Sequence, residues 1–129
     1  METPTALGIL VLMFMLQAKH AVCDGPFQRL WMLKDKGFYG RTGGLVHAAI
    51  HGAGSLAVLV IFGIAAPLAA ALAIADAVLH YHIDFIKETV VRQHRWAFDQ
   101  PFFWWALTVD QMLHQFTYVA LAAAVIFLA

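Results

Sequence analysis

Long apolar segments alternate with short polar or glycine-rich stretches along the whole chain. An apolar run of about 20 residues is long enough to cross a ~30 Å hydrocarbon core as a helix. The pattern predicts four such helices, and the first is expected to break near residues 25–26, because a proline removes a backbone donor from a helix. The predicted helices cover about residues 7–32, 45–66, 68–91 and 102–128.

Composition places this pattern in a membrane. Apolar residues make up 62% of the chain and charged residues 12%, whereas soluble domains have roughly 45–50% and about 25%. A chain of 129 residues is too short to hide that much apolar surface from water. We therefore predict an all-α membrane protein, a single four-helix transmembrane bundle over residues 1–129. The lipid bilayer is the expected partner, and a formal net charge of zero gives no indication of nucleic-acid binding.

The cationic side chains are unevenly distributed between the predicted loops. They flank the first and third loops, whereas the turn near Gly63–Pro67 has none. By the positive-inside rule both cationic loops are cytoplasmic, so both chain termini are expected on the outer side of a multi-pass protein of the cytoplasmic (inner) membrane. The residues that carry this prediction are Arg29, Lys34, Lys36, Arg41, Lys87, Arg92 and Arg95.

Each predicted helix also contains ionisable residues four positions apart. That spacing puts both members of a pair on one helix face, and ionisable groups at membrane depth normally face the bundle interior. At a rise of 1.5 Å per residue, the four pairs reach the cytoplasmic half of the same bundle. The pairs are His20 with Asp24, His47 with His51, His80 with Asp84, and Asp110 with His114.

Imidazole and carboxylate groups that converge in this way are typical metal ligands. They suit zinc, iron or manganese, and helix bundles build mono- and dinuclear sites from them. The sequence therefore predicts a site for one or two divalent transition-metal ions. Its candidate ligands are His20, Asp24, His47, His51, His80, Asp84, Asp110 and His114. A metal-free hydrogen-bond network between helices is the alternative.

Four spaced motifs resemble a known family. They are His20-x-x-x-Asp24-x-x-x-Gln28 followed by Lys36, His47-x-x-x-His51, His80-x-x-x-Asp84-x-x-Lys87, and Asp110-Gln111-x-x-His114. In this order they resemble the domain of unknown function 3307 family of small bacterial membrane proteins, over about residues 14–120. The chain departs from the family pattern at Gly25-Pro26. The resemblance supports a site and implies no reaction.

Three functions are compatible with such a cluster. The first is a membrane-embedded metal-dependent hydrolase or oxidase of a lipid-like substrate, with Asp84, Lys87 and Asp110 as candidate catalytic residues. The second is a non-catalytic subunit of a larger membrane complex or homo-oligomer, holding a structural metal, a haem or a pigment. The third is a proton or ion carrier that uses the same three residues as a relay.

Three single residues carry narrower expectations. Lys87 is expected to pair with Asp84 or Asp24, or to bind an anionic substrate group. Asp76 is expected to make a helix–helix hydrogen bond. Asp99 is expected to cap the fourth helix, with Pro101 in its first turn.

Overall fold

The computed structural model describes residues 5–129, and this part of the chain contains helices and turns but no strand. The helices are α1 (Ala6–Asp24), α2 (Leu30–Asp35), α3 (Thr42–Ile61), α4 (Ala66–His94) and α5 (Pro101–Leu128). All except α2 are long and apolar enough to cross a membrane. The prediction of an all-α protein with four such helices is confirmed. The prediction that the N-terminus lies on the outer side of the membrane concerns residues outside the described part.

The first predicted helix, 7–32, is two helices in the structure. α1 ends at Asp24, and the chain turns before α2 begins at Leu30. Gly25 is required in this turn, because a Cβ there would lie 2.9 Å from the carbonyl oxygen of Ala21. Pro26 then prevents the helix from continuing.

The short helix α2 packs on α3 and returns the chain towards the bundle. The backbone N–H of Gly43, in the first turn of α3, donates to Asp35 Oδ2 at 2.9 Å. A Cβ at Gly43 would lie 2.7 Å from Asp35 Cβ, so the close approach depends on glycine. The aspartate satisfies one of the N–H groups that every helix leaves free at its N-terminus.

The remaining boundaries follow from local chemistry. α3 ends at Ile61, earlier than predicted, because Gly63 adopts a φ of 92° that few other residues tolerate. α4 begins at Ala66, with Pro67 in its first turn. The expectation that Asp99 caps α5 is wrong: the N-cap is Gln100, and no side chain makes a capping hydrogen bond there. Pro101, at the first helical position, removes one of the N–H groups that a helix leaves free at its N-terminus.

The four long helices form a closed bundle in which α1 packs on α3 and α5, and α4 packs on α3 and α5. Apolar side chains fill one end, with Leu12, Leu16, Leu59 and Val125 among the most buried. Buried polar side chains fill the region towards the other end. Many large apolar residues instead lie exposed on the outer surface, a distribution suited to a surface in contact with lipid.

The α3–α4 contact depends on Gly52. A Cβ at this position would lie 2.9 Å from Ala77 Cβ and 3.1 Å from the carbonyl oxygen of Ala73, so the two backbones approach closely. Small residues permit this approach between membrane helices.

Gly52→Val is expected to destabilise the bundle by about 1–3 kcal/mol, because the larger side chain forces α3 away from α4. The free energy of unfolding in detergent measures this effect. Ala57→Val, at an exposed position of the same helix, is the matched control and should be nearly neutral. Equal stabilities for the two variants would contradict the packing assigned to Gly52.

A buried histidine–aspartate cluster as a candidate metal centre

The four long helices bring together all eight side chains predicted as metal ligands. Each helix contributes one pair with a spacing of four residues, so the contributing atoms lie on its inner face. The imidazoles of His47, His51, His80 and His114 are completely or almost completely buried. Direct contacts link the eight residues into one connected network. Their role as ligands stays a prediction.

The densest part is the first ligand group, which consists of Asp24, His47, His51 and His80. Asp24 Oδ1 lies 3.0 Å from His51 Nε2 and 3.2 Å from His47 Nε2. The Nε2 atoms of His47 and His80 are 3.1 Å apart. A tetrahedral ion with metal–nitrogen bonds of about 2.0–2.1 Å holds its ligand atoms roughly 3.3 Å apart. The spacing of these atoms is therefore close to that of a coordination sphere.

The second ligand group consists of His80, Asp84 and His114, so His80 belongs to both groups. Asp84 contacts both as well, because its Oδ2 lies 3.4 Å from His47 Nε2 and its Oδ1 lies 3.5 Å from His114 Nε2. Asp110 follows at the edge of this group, with Oδ1 3.6 Å from His114 Nε2. The two groups form one continuous cluster.

His20 lies beside the groups and belongs to neither. Its Nε2 is 3.1 Å from Asp24 Oδ2 and 3.2 Å from Gln111 Oε1. Its Nδ1 is 2.7 Å from the hydroxyl of Tyr118. Both ring nitrogens thus have partners, and the contact with Oδ2 leaves Asp24 Oδ1 to face the other histidines. In this arrangement His20 orients the carboxylate of Asp24.

The lysine at the cluster is Lys36. Its buried Nζ lies 2.8 Å from Asp84 Oδ2 and donates to Gln28 Oε1 at 2.7 Å. The expected ion pair of Lys87 with Asp84 or Asp24 is wrong, because Lys87 pairs with its neighbour Glu88. Sequence reasoning treated Lys36 as a loop cation. The sequence feature that could have identified Lys36 is its position after Gln28 in the first motif. The turn after α1, which brings Lys36 back to the cluster, is visible only in the structure.

A second polar layer lies next to the cluster and takes one side chain from each long helix. Lys19 Nζ is 3.1 Å from Asp76 Oδ2 and donates to the Tyr118 hydroxyl at 3.0 Å. Ser55 donates to the same Asp76 oxygen at 2.6 Å. Asp76 therefore makes the helix–helix contact expected of it. Lys19 was missed, although a lysine inside an apolar segment was the signal.

Some buried nitrogen atoms of the cluster lack a hydrogen-bond partner among the described residues. They include His114 Nε2, which lies 3.5 Å from Asp84 Oδ1 and belongs to the second ligand group, and Nδ1 of His47, His51 and His80. In the neutral tautomer with its proton on Nδ1, His114 offers the Nε2 lone pair to a cation. The three Nδ1 atoms depart from the usual pattern, in which a ligating histidine donates its other N–H to an acceptor. The convergent Nε2 and carboxylate atoms nevertheless fit a metal ion in chemistry and spacing.

The fold and the cluster define an all-helical protein with four candidate membrane-spanning helices and buried His/Asp groups that could hold a metal ion. The chain belongs to the family described as "Protein of unknown function (DUF3307)", whose model matches residues 10–129. This confirms the resemblance indicated by the four motifs. Neither a curated protein nor a solved structure is significantly similar to the chain.

The Lys19–Asp76 pair yields a stability prediction. Asp76→Ala leaves the Lys19 ammonium buried without its counter-ion, which is expected to cost about 3–5 kcal/mol. Lys19→Met combined with Asp76→Ala removes both charges and should recover much of that loss. Unfolding free energies in detergent measure both variants. A double variant less stable than Asp76→Ala alone would contradict a pair whose main role is mutual neutralisation.

Proposed function

We propose that this protein is a membrane-embedded, metal-dependent hydrolase of a lipid-like substrate, with its cluster in the cytoplasmic half of the inner membrane. The observation that carries the proposal is the first ligand group, in which Asp24 Oδ1 and the imidazole nitrogens of His47, His51 and His80 all lie within 4.8 Å of one another. A shared cation would satisfy the lone pairs of all four groups at once, which is the basis for proposing a metal here.

Charge supports a cation at this place. With every imidazole neutral, as a metal ligand must be, the ionised carboxylates of Asp24, Asp84 and Asp110 outnumber the ammonium of Lys36 by two negative charges. The other buried lysine, Lys19, is neutralised by Asp76. Uncompensated charge inside a low-dielectric bundle is costly. One divalent ion balances the cluster, and a second ion leaves positive charge for an anionic substrate group.

The ligand groups also allow an open coordination position, which catalytic metal sites need. His80 belongs to both ligand groups, but one imidazole nitrogen binds only one ion, so His80 can be a ligand in only one group at a time. When His80 is assigned to the second group, Asp24, His47 and His51 hold one ion, and His80, Asp84 and His114 hold another. Each ion then has three protein ligands. A zinc, iron or manganese ion bound there supplies Lewis-acid chemistry.

The chain's own residues supply the other requirements of hydrolysis. Asp110 lies next to His114 and has one carboxylate oxygen without a hydrogen-bond partner, so it is suited to accept a proton from an attacking water. Lys36 holds Asp84 in place through Oδ2. Lys87 lines the same cavity as Asp110, between α4 and α5. Its role in the proposal is to bind an anionic or polar group of the substrate. Two histidines with one carboxylate are the ligand set of zinc hydrolases and of non-haem iron oxygenases alike, so the identity of the bound metal decides between hydrolysis and oxidation.

Removal of single histidines is expected to lower the metal content of the detergent-purified protein. His51→Ala and His114→Ala should each lose about one equivalent of zinc, iron or manganese if the two groups hold separate ions. His51→Ala combined with Asp84→Ala should lose all of it. Elemental analysis measures the stoichiometry.

His82→Ala is the matched control, because His82 is an exposed histidine of α4 that lies outside both groups. It should retain the full metal content. A native protein without metal, or unchanged stoichiometry in His51→Ala with Asp84→Ala, would overturn the metal centre and leave a hydrogen-bond network or proton path.

The orientation rests on the positive-inside rule and has its own test. In right-side-out vesicles, a membrane-impermeant maleimide should label Ala65→Cys, in the turn between α3 and α4, and leave Lys34→Cys unlabelled. Both positions are exposed. The native Cys23 is buried and serves as an internal control. The reverse labelling pattern would place the cluster in the outer half of the membrane.

A further inference from the structure

Lys19, in α1, makes a hydrogen bond to each of the other three long helices. Its buried ammonium has three N–H donors. It donates to Asp76 Oδ2 in α4 at 3.1 Å, to the Tyr118 hydroxyl in α5 at 3.0 Å, and to the backbone carbonyl of His51 in α3 at 3.4 Å. The three acceptors use all three donors, so the position of the ammonium between the helices is fixed.

The Tyr118 hydroxyl connects Lys19 with His20. An ammonium has no lone pair, so the tyrosine oxygen is the acceptor in its contact with Lys19. Among the residues that the structure describes, the acceptor within reach of the hydroxyl hydrogen is His20 Nδ1, at 2.7 Å. Tyr118 is completely buried, and a buried hydroxyl without an acceptor is costly. Tyr118 therefore donates to Nδ1.

The direction of this hydrogen bond determines the tautomer of His20. A ring nitrogen that accepts a hydrogen bond carries no proton, so the neutral imidazole has its proton on Nε2. Nε2 lies 3.1 Å from Asp24 Oδ2 and 3.2 Å from Gln111 Oε1, and an ionised carboxylate and an amide oxygen can only accept. The partners on both sides of the ring thus require the same tautomer and the same ring orientation.

We propose that Lys19 and Tyr118 are positioning residues of the metal centre, which act through His20 on Asp24. Each of the first three donates to the next, so the N–H of His20 occupies Asp24 Oδ2, and Oδ1 faces the other histidines of the first ligand group. The proposal rests on the proposed function and extends the set of residues that determine its metal affinity. Removal of a group that holds a metal ligand in place typically costs about 10–100-fold in affinity.

The tautomer is tested in protein stripped of metal with a chelator, in nanodiscs at mildly alkaline pH. ¹⁵N NMR with labelled histidine distinguishes ring nitrogens with and without a proton, and His20→Gln identifies the His20 signals. We expect a proton on Nε2 and an unprotonated, hydrogen-bonded Nδ1. Tyr118→Phe removes the donor, so the Nδ1 signal should move to the position of a nitrogen without a hydrogen bond. A proton on Nδ1 of His20 would overturn the proposal.

Tyr118→Phe should also weaken zinc binding about tenfold, because His20 then holds Asp24 less firmly. Competition with a chromogenic zinc chelator measures the dissociation constant of the detergent-purified protein. Thr117→Val is the matched control, because it removes a buried hydroxyl at the neighbouring position that donates to a backbone carbonyl of its own helix. It should bind zinc as tightly as the unaltered protein.

Lys19→Met combined with Asp76→Ala tests the first step of the chain without leaving an unpaired buried charge. The hydroxyl of Tyr118 is then free either to donate to His20 or to accept from it. Zinc binding should be weakened, but less than in Tyr118→Phe, because the hydrogen bond to His20 remains. Unchanged zinc affinity in this double variant would overturn the role of Lys19.

Failure of this proposal differs from failure of the metal centre. A native protein that binds neither zinc, iron nor manganese would overturn the metal centre and the positioning role together. Normal metal content with equal zinc affinities in Tyr118→Phe and Thr117→Val would overturn the positioning role alone. The NMR measurement adds a result that does not depend on metal, because it is made on the stripped protein.

Discussion

The burial of ionisable side chains inside a bundle with an apolar exterior is the constraint on which the rest of this structure depends. Each long helix contributes carboxylates, imidazoles or an ammonium to the interior. Each of these groups needs a hydrogen-bond partner or counter-ion inside the bundle, because a lipid environment around the bundle provides neither. Asp24 has such partners on both carboxylate oxygens: Oδ1 lies beside His47 and His51, and Oδ2 lies beside His20. The polar interior therefore determines how the helices are arranged around it.

The interior of the bundle changes from apolar to polar along its length. Leucine and valine side chains pack at one end, where shape complementarity suffices. The Lys19–Asp76 pair with Ser55 and Tyr118 forms a layer in which donors and acceptors match. Beyond it, the histidine–aspartate cluster contains atoms without partners. Unmatched groups are expensive in a membrane interior, so their concentration in one layer is the physical reason to assign a ligand to that layer.

The loop after α1 completes the site from outside the bundle. Gly25 and Pro26 end α1, α2 packs on α3, and this path carries Lys36 to Asp84. α4 and α5 leave an apolar cavity next to Asp110.

The sequence by itself determined the four long helices apolar enough to span a membrane and the eight histidines and aspartates that converge in the cluster. Apolar run length reports membrane crossing directly, and a spacing of four residues places two side chains on one face whatever the tertiary structure. It did not determine which lysine meets the cluster, that Lys19 pairs with Asp76, or that His20 holds Asp24 and lies outside both ligand groups. Those outcomes depend on helix rotation, relative depth and the path of a turn. The Lys36–Asp84 and Lys19–Asp76 contacts join residues far apart in the chain, whereas helical periodicity describes only the relation between neighbours within one helix.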